Sequence, residues 1–159
     1  MKHTISVQVE NKFGVLARIS GLFSARGYNI DSLAVGKTED PDISRMTIVV
    51  CGDEAILEQV TKQLNKLPEV IKVKDFLNCD IIKRDLLLVK VTAGKKDRPE
   101  IIEIAAIFRA KIVDMGKESV TIEVTGDENK VVAFMDLMRP YNIKEVVRTG
   151  IIAIERGGK

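Results

Sequence analysis

TIVVCGDE at residues 47–54 returns as TIEVTGDE at residues 121–128, identical at six of eight positions and 74 residues further on. Each copy runs an apolar strand into Gly-Asp-Glu, which is how a strand ends at a glycine and hands over to a helix capped by an aspartate. Two amphipathic strands resemble each other by chance, but chance does not also place the strand-to-helix junction in register. The helix ends LFSA (22–25) and IFRA (107–110) correspond as well. The repeat predicts two homologous domains, and 159 residues hold two units of about 75 to 80 residues comfortably.

Upstream of the first copy, TISVQVE (4–10) alternates strictly, with Ile5, Val7 and Val9 on one face, and reads as a half-buried strand. A polar loop containing Asn11, Lys12 and Gly14 follows. Val15, Leu16, Ile19, Leu22 and Phe23 then form a helical stripe that stops at Gly27, a residue suited to a left-handed cap. The imperfect alternation from Tyr28 to Val35 predicts a bulged strand, and TEDPD (38–42) a turn leading into the strand RMTIVVC (45–51). Asp53 caps the next helix, which buries Ile56, Val60, Leu64 and Leu67 and is stopped by Pro68; VIKVKDF (70–76) closes the unit as a strand.

The second half repeats this order. LLLVKV (86–91) is a strand, GKKDRP (94–99) a loop, and a helix carries Ile101, Ile104, Ala105 and Phe108. KIVDM and VTIEV pair, a second helix turns Val131, Phe134, Met135 and Met138 inward until Pro140, and a closing strand spans Lys144 to Ile154. Each half is thus β-α-β-β-α-β, and the predicted class is α+β: two tandem ferredoxin-like domains, each with two helices on one face of a four-stranded antiparallel sheet. Apolar residues on both faces of several strands further predict pairing of sheets, between domains or in a dimer.

Composition excludes several classes. The chain is 45% hydrophobic and 30% charged, with a formal net charge of +2 (10 Lys and Arg against 10 Asp and Glu through Phe76, 15 against 13 after it), so neither half has the basic excess of a nucleic-acid binder. The predicted strands TISVQVE, RMTIVVC, LLLVKV and VTIEV carry none of the aromatic residues on which RNA bases stack. Cys51 and Cys79 have no second Cys or His at ligand spacing, and the one histidine, His3, stands at the start of the first strand, where it reads as an exposed surface residue. Phosphate-loop, dinucleotide, zincin and EF-hand motifs are absent. MKHTISVQVENK lacks the apolar core of a signal peptide, and no apolar run approaches a membrane span, so the chain is expected in the cytoplasm.

The candidate site is the loop from Glu10 to Gly14. The unpaired N–H groups at the start of the first helix, those of Gly14, Val15 and Leu16, suit a carboxylate, and Asn11 offers donors and an acceptor. In the alternative, Asn11 caps its own helix and Gly14 only permits the bend. A second polar interruption, Gly27 to Ile30, places Asn29 where a strand should be apolar. If two copies pair side by side, this segment of one approaches the Asn11–Gly14 loop of the other and makes a pocket with a polar floor and aliphatic walls. Arg18 with Asn11 also permits an anion cradle of the acyl-phosphatase type.

ENKFGVLARISGLFSARGYNIDSL (10–33), ISRMTIVVCGDE (43–54), RDLLLVKV (84–91), IFRAKIVDM (107–115) and VRTGIIAIERG (147–157) closely resemble the regulatory, or small, subunits of acetolactate synthase, also called acetohydroxyacid synthase. The resemblance covers essentially the whole chain. It implies an ACT domain over 1–76, a linker at 77–83 and a second ferredoxin-like domain over 84–159. It also implies a protein without an active site, forming a homodimer through its ACT domains. Such a protein activates the catalytic large subunit and confers feedback inhibition by valine in branched-chain amino acid biosynthesis. Thiamine diphosphate, magnesium and FAD are then expected on that catalytic subunit, and no cofactor on this chain. The family's valine-site residues fall on Asn11, Gly14 and Asn29, with Val15 and Ile30 adjoining. Phe13 departs from the family, which often has a small residue or proline there, and is expected to crowd the loop. Two other functions remain: an ACT-type sensor of another amino acid, and a small acyl-phosphatase-like enzyme.

Overall fold

The computed structural model describes residues 1–157, which form two units: Met1–Ile82 together with the stretch from Ile151 onward, and Lys83–Gly150. In the first, β1 (Lys2–Glu10), α1 (Val15–Ala25), β2 (Asn29–Lys37), β3 (Ile43–Cys51), α2 (Glu54–Asn65) and β4 (Val70–Asp75) build a four-stranded sheet of order β2-β3-β1-β4. β1 lies antiparallel to both neighbours, with Ile5 opposite Ile48 and Val7 opposite Met46 and Val73. The alternation read in TISVQVE is the core face of this sheet. Ile5, Val7 and Val9 join Ile19, Phe23, Val60 and Leu64 in one buried cluster under α1 and α2.

The ends of the elements follow from single residues. Gly27, at φ 69°, lets the Tyr28 N–H reach back to the Phe23 carbonyl and close α1. The expected irregularity in β2 is a bulge: Ile30 faces Val50, Ser32 faces Val49, and Asp31 is passed over. The Asp53 carboxylate accepts from the Ile56 N–H at 2.9 Å and starts α2.

In the second unit β5 (Ile81–Thr92, its first two residues counted with the first unit), α3 (Arg98–Ile107), β6 (Lys111–Met115), β7 (Ser119–Gly126), α4 (Glu128–Met138) and β8 (Ile143–Arg148) repeat the pattern, with strand order β6-β7-β5-β8. Leu87, Val89 and Val91 pack with Ile101, Ile122, Val131 and Phe134. Asp127 caps α4 as Asp53 caps α2, accepting from the Lys130 N–H at 2.9 Å.

Three expectations need correction. The closing strand expected over Lys144–Ile154 is broken: β8 ends at Arg148, Gly150 takes φ 83°, and β9 (Ile152–Glu155) starts anew and pairs with β5. β5 itself begins inside the segment expected as a linker at 77–83, and β9 groups with the first unit, where Glu155 pairs with Lys74 and the Arg156 N–H donates to the Asp80 carbonyl. Last, His3 is not exposed. It is a paired residue of β1 opposite Val50, only 4% exposed, and its Nε2 has no hydrogen-bond partner.

Candidate functional site

Asn11, Gly14 and Val15 lie together where β1 gives way to α1. Gly14 is the N-cap residue of α1, at φ 85° and ψ −8°, a conformation that disfavours any residue with a Cβ, while the space around it is open for at least 4 Å. Glycine is thus required here by the backbone rather than by crowding, and the space beside it is open.

Asn11 does not cap its helix, for α1 has no side-chain cap, whereas the positive φ of Gly14 is what a glycine that permits the bend requires. Asn11 instead fastens to the turn between β2 and β3. Its N–H donates to the Asp42 carbonyl at 2.7 Å and its Nδ2 to the Pro41 carbonyl at 2.9 Å. That turn was not read as part of the site, although the register of β1 on β3, with Glu10 opposite Ile43, brings it there. Val15 turns its side chain into the core at 5% exposure, so only its backbone faces the loop. Phe13 does not crowd the loop either, because its ring is fully exposed.

The charge around α1 is unlike that around the other helices. α2 and α4 start with an aspartate cap and a glutamate in the first turn, and α3 has Glu100 in its first turn; α1 has neither cap nor acid. The positive end of its dipole and the first-turn N–H groups of Leu16 and Ala17 are left without an internal anion. Arg18, the proposed arginine of an acyl-phosphatase cradle, is ion-paired to Glu69, and Asn11 is held by Pro41. Both side chains of that enzymatic reading are committed to the fold.

Asn29 and Ile30 lie elsewhere. Asn29 opens β2 opposite Cys51, the last residue of β3, whereas Asn11 lies beside the residues that precede β3. Nine residues of strand therefore separate the two positions within one chain, about 27 Å at ~3.4 Å per residue. Asn29 is exposed, and Ile30 is half-buried against the core.

Among the described residues no group of three or more His, Cys, Asp or Glu is placed to hold a metal ion, and no helix is long and apolar enough to cross a membrane.

Comparison with known proteins assigns both units. Residues 5–72 match the model of the AHAS small subunit-like ACT domain, and residues 84–157 that of the small subunit of acetolactate synthase. The probable acetolactate synthase small subunit of Archaeoglobus fulgidus is 59% identical over 159 residues, covering 100% of this chain and 99% of the relative. The acetolactate synthase small subunit of Mycolicibacterium smegmatis is 52% identical over 155 residues, covering 98% of this chain and 91% of the relative. The crystal structure of the acetolactate synthase small subunit from Thermotoga maritima superposes with a TM-score of 0.92 at 40% identity, covering 100% of this chain and 99% of that one. With a repeated ferredoxin-like architecture, an ACT domain and relatives matched end to end, this chain belongs to the family of acetolactate synthase small subunits, the non-catalytic chains of that enzyme.

Proposed function

We propose that this chain activates the catalytic subunit of acetolactate synthase and makes it sensitive to valine, which binds where two copies pair through their ACT domains. The observation that carries this reading is the uncapped start of α1 beside Gly14, with no acidic residue in its first turn. A free amino acid supplies the missing carboxylate, and its ammonium group suits the amide oxygens of Asn11 and Asn29.

Strand topology supports a shared site. β2 is an edge of its sheet, hydrogen-bonded to β3 alone, and runs in the same direction as β1. When two β2 edges pair antiparallel about a two-fold axis, the Asn29 end of one copy meets the Lys37 end of the other. That is the end of the sheet where Asn11 and Gly14 lie. The 27 Å that separate the two halves within one chain are thereby closed between chains.

Regulation then follows by linkage. Valine favours one arrangement of the ACT pair, the catalytic subunit favours another, and each weakens binding of the other by the same factor. Thiamine diphosphate, magnesium and FAD belong to the catalytic subunit in this reading, and the free thiols Cys51 and Cys79 suit a cytoplasmic assembly.

The test is acetolactate formation by the catalytic subunit, alone and with this chain, each with and without valine. Stimulation reversed by valine is expected. Gly14→Asp puts an internal carboxylate at the helix start, and is expected to raise the inhibitory valine concentration more than tenfold while activation stays. Asn29→Ala is expected to weaken inhibition without dissociating the dimer. Stimulation that no valine concentration reverses rejects the effector assignment. A thermal shift produced by a different amino acid would then identify another effector.

A further inference from the structure

The face of the first sheet that α1 and α2 leave uncovered carries a concentration of positive charge that the regulatory reading does not use. Gln8 in β1 stands between Arg45 on β3 and Lys72 on β4, and one step along, Ser6 stands between Thr47 and Lys74. Neighbouring strands are about 4.8 Å apart, so the three cations overhang one patch of two polar residues. Phe76, Ile154 and Glu155 complete the walls of a cleft of about 160 Å³.

The cluster is electrostatically incomplete. Among the described residues Glu155 is the only carboxylate lining the cleft, and it is ion-paired to Lys74. Arg45 has its Nε buried without a hydrogen-bond acceptor. A buried donor left unmade is costly, and three like charges held together repel unless an anion lies among them. With three cations against one carboxylate, the surplus matches a dianion. Arginine presents two parallel N–H groups to tetrahedral oxyanions, and a phosphate monoester carries a charge of about −1.5 to −2 at neutral pH.

We infer that this cleft binds a small phosphate-bearing ligand, its phosphate between Arg45 and Lys72 with Gln8 and Ser6 as further hydrogen-bonding groups, and its carbon skeleton against Phe76 and Ile154. Glu155 acts as a competing internal anion, so occupancy of the cleft loosens the hold of Lys74 on β9. The cleft is built from β1, β3, β4 and β9 and shares no residue with the Asn11–Gly14 loop. Binding here stands or falls independently of valine.

The test is calorimetric titration of the full-length chain with inorganic phosphate and with glycerol 3-phosphate at constant ionic strength, with malonate as a dianion lacking phosphorus. Saturable binding of both phosphates is expected, tighter for the ester because of its apolar contacts. Lys72→Gln, at an exposed position that folding tolerates, is expected to weaken both at least tenfold, and Arg45→Gln likewise. Glu155→Gln is expected to tighten both several-fold, because a competitor is removed. Opposite responses to Lys72→Gln and Glu155→Gln distinguish a site from diffuse attraction. Absence of saturation, or indifference to Lys72→Gln, overturns the inference; malonate binding as tightly as phosphate overturns the ligand class.

Discussion

The two units share a plan and differ at the turn from first strand to first helix. In the second unit that turn is filled. Arg98, at the start of α3, donates to the carbonyl of Ala93 at 3.3 Å and to those of Gly116 and Lys117 in the β6–β7 turn, and Pro99 follows it. In the first unit only the short amide of Asn11 reaches across, to Pro41, and the helix start beyond it is open. Both turns thus tie the first strand to the neighbouring hairpin, one with a guanidinium that occupies the space and one with a side chain that leaves it free. A repeated scaffold thus has a supporting contact in both copies and leaves the helix start uncapped in one.

The junctions that announce the repeat allow the sharpest test of how alike the copies are. Gly52 and Gly126 hold equivalent places before their aspartate caps, yet they are constrained differently. A Cβ at Gly52 would lie 2.8–2.9 Å from the branched side chain of Ile56, on a backbone at φ 156°. A Cβ at Gly126 would lie 2.4 Å from Lys130 Cδ and 3.0 Å from its Cβ and Cγ, but the nearest atom belongs to an unbranched chain that can swing aside and the backbone is outside the positive-φ range. Gly52→Ala is therefore expected to destabilise the first unit by about 3 kcal/mol, combining overpacking with backbone strain. Gly126→Ala should cost the second unit about 1 kcal/mol. Urea unfolding of each variant measures both, and equal losses would show the junctions to be mechanically identical.

A smaller effect of opposite sign is expected one strand away. His3 faces Val50 as Leu87 faces Val124, and Val50 and Val124 are equivalent in the repeat. The second unit thus has an apolar residue where the first buries an imidazole whose Nε2 lacks a partner. His3→Leu imports the second unit's solution, and is expected to raise stability by about 1 kcal/mol because an unsatisfied buried polar atom is removed. A loss of stability instead would mean that the imidazole is needed where it is.

This residue also marks the limit of what the sequence discloses. Helices, strand faces, the β2 bulge, the aspartate caps and the repeat were legible because they depend on periodicity and on neighbours within a few positions. His3 was misread because its burial depends on β1 remaining paired to its second residue, opposite Cys51 at the far end of β3. The break at Thr149–Gly150 carried a local signal, but the destination of β9 did not. In the candidate site, Gly14 was legible from its place before the helical stripe. Its link to Pro41 and its distance from Asn29 required the register of β1 and β2 on β3. The convergence of Arg45, Lys72 and Lys74 is likewise a property of register: each lies on an ordinary polar position of its own strand.

The C-terminal strand separates the two units most gently, because β9 attaches to the first and the second has no described counterpart of it. Its polar holds are the Lys74–Glu155 pair and, just past its end, Arg156, which meets the Asp80 carboxylate at 3.2 Å. The Lys74 ammonium donates to the Glu155 carboxylate and holds its pKa below the ordinary carboxylate value, while the same hydrogen bond raises that of Lys74. The signs follow from linkage. For Glu155 the stabilising contribution is present above its unfolded pKa and is lost as pH falls through the depressed folded value. For Lys74 it is present below the ordinary ammonium value and is lost as pH rises through the raised folded value. The hold on β9 is therefore intact through neutral pH and weakens at both extremes, by a small amount because both groups meet solvent. Hydrogen exchange at the amides of Ala153 to Glu155, corrected for intrinsic rates, is expected to accelerate below about pH 4 in the native chain. In Glu155→Gln it should be faster at neutral pH and less sensitive to acid over the same range. Acid sensitivity undiminished in the variant would assign the acid-labile hold on β9 to a group other than Glu155.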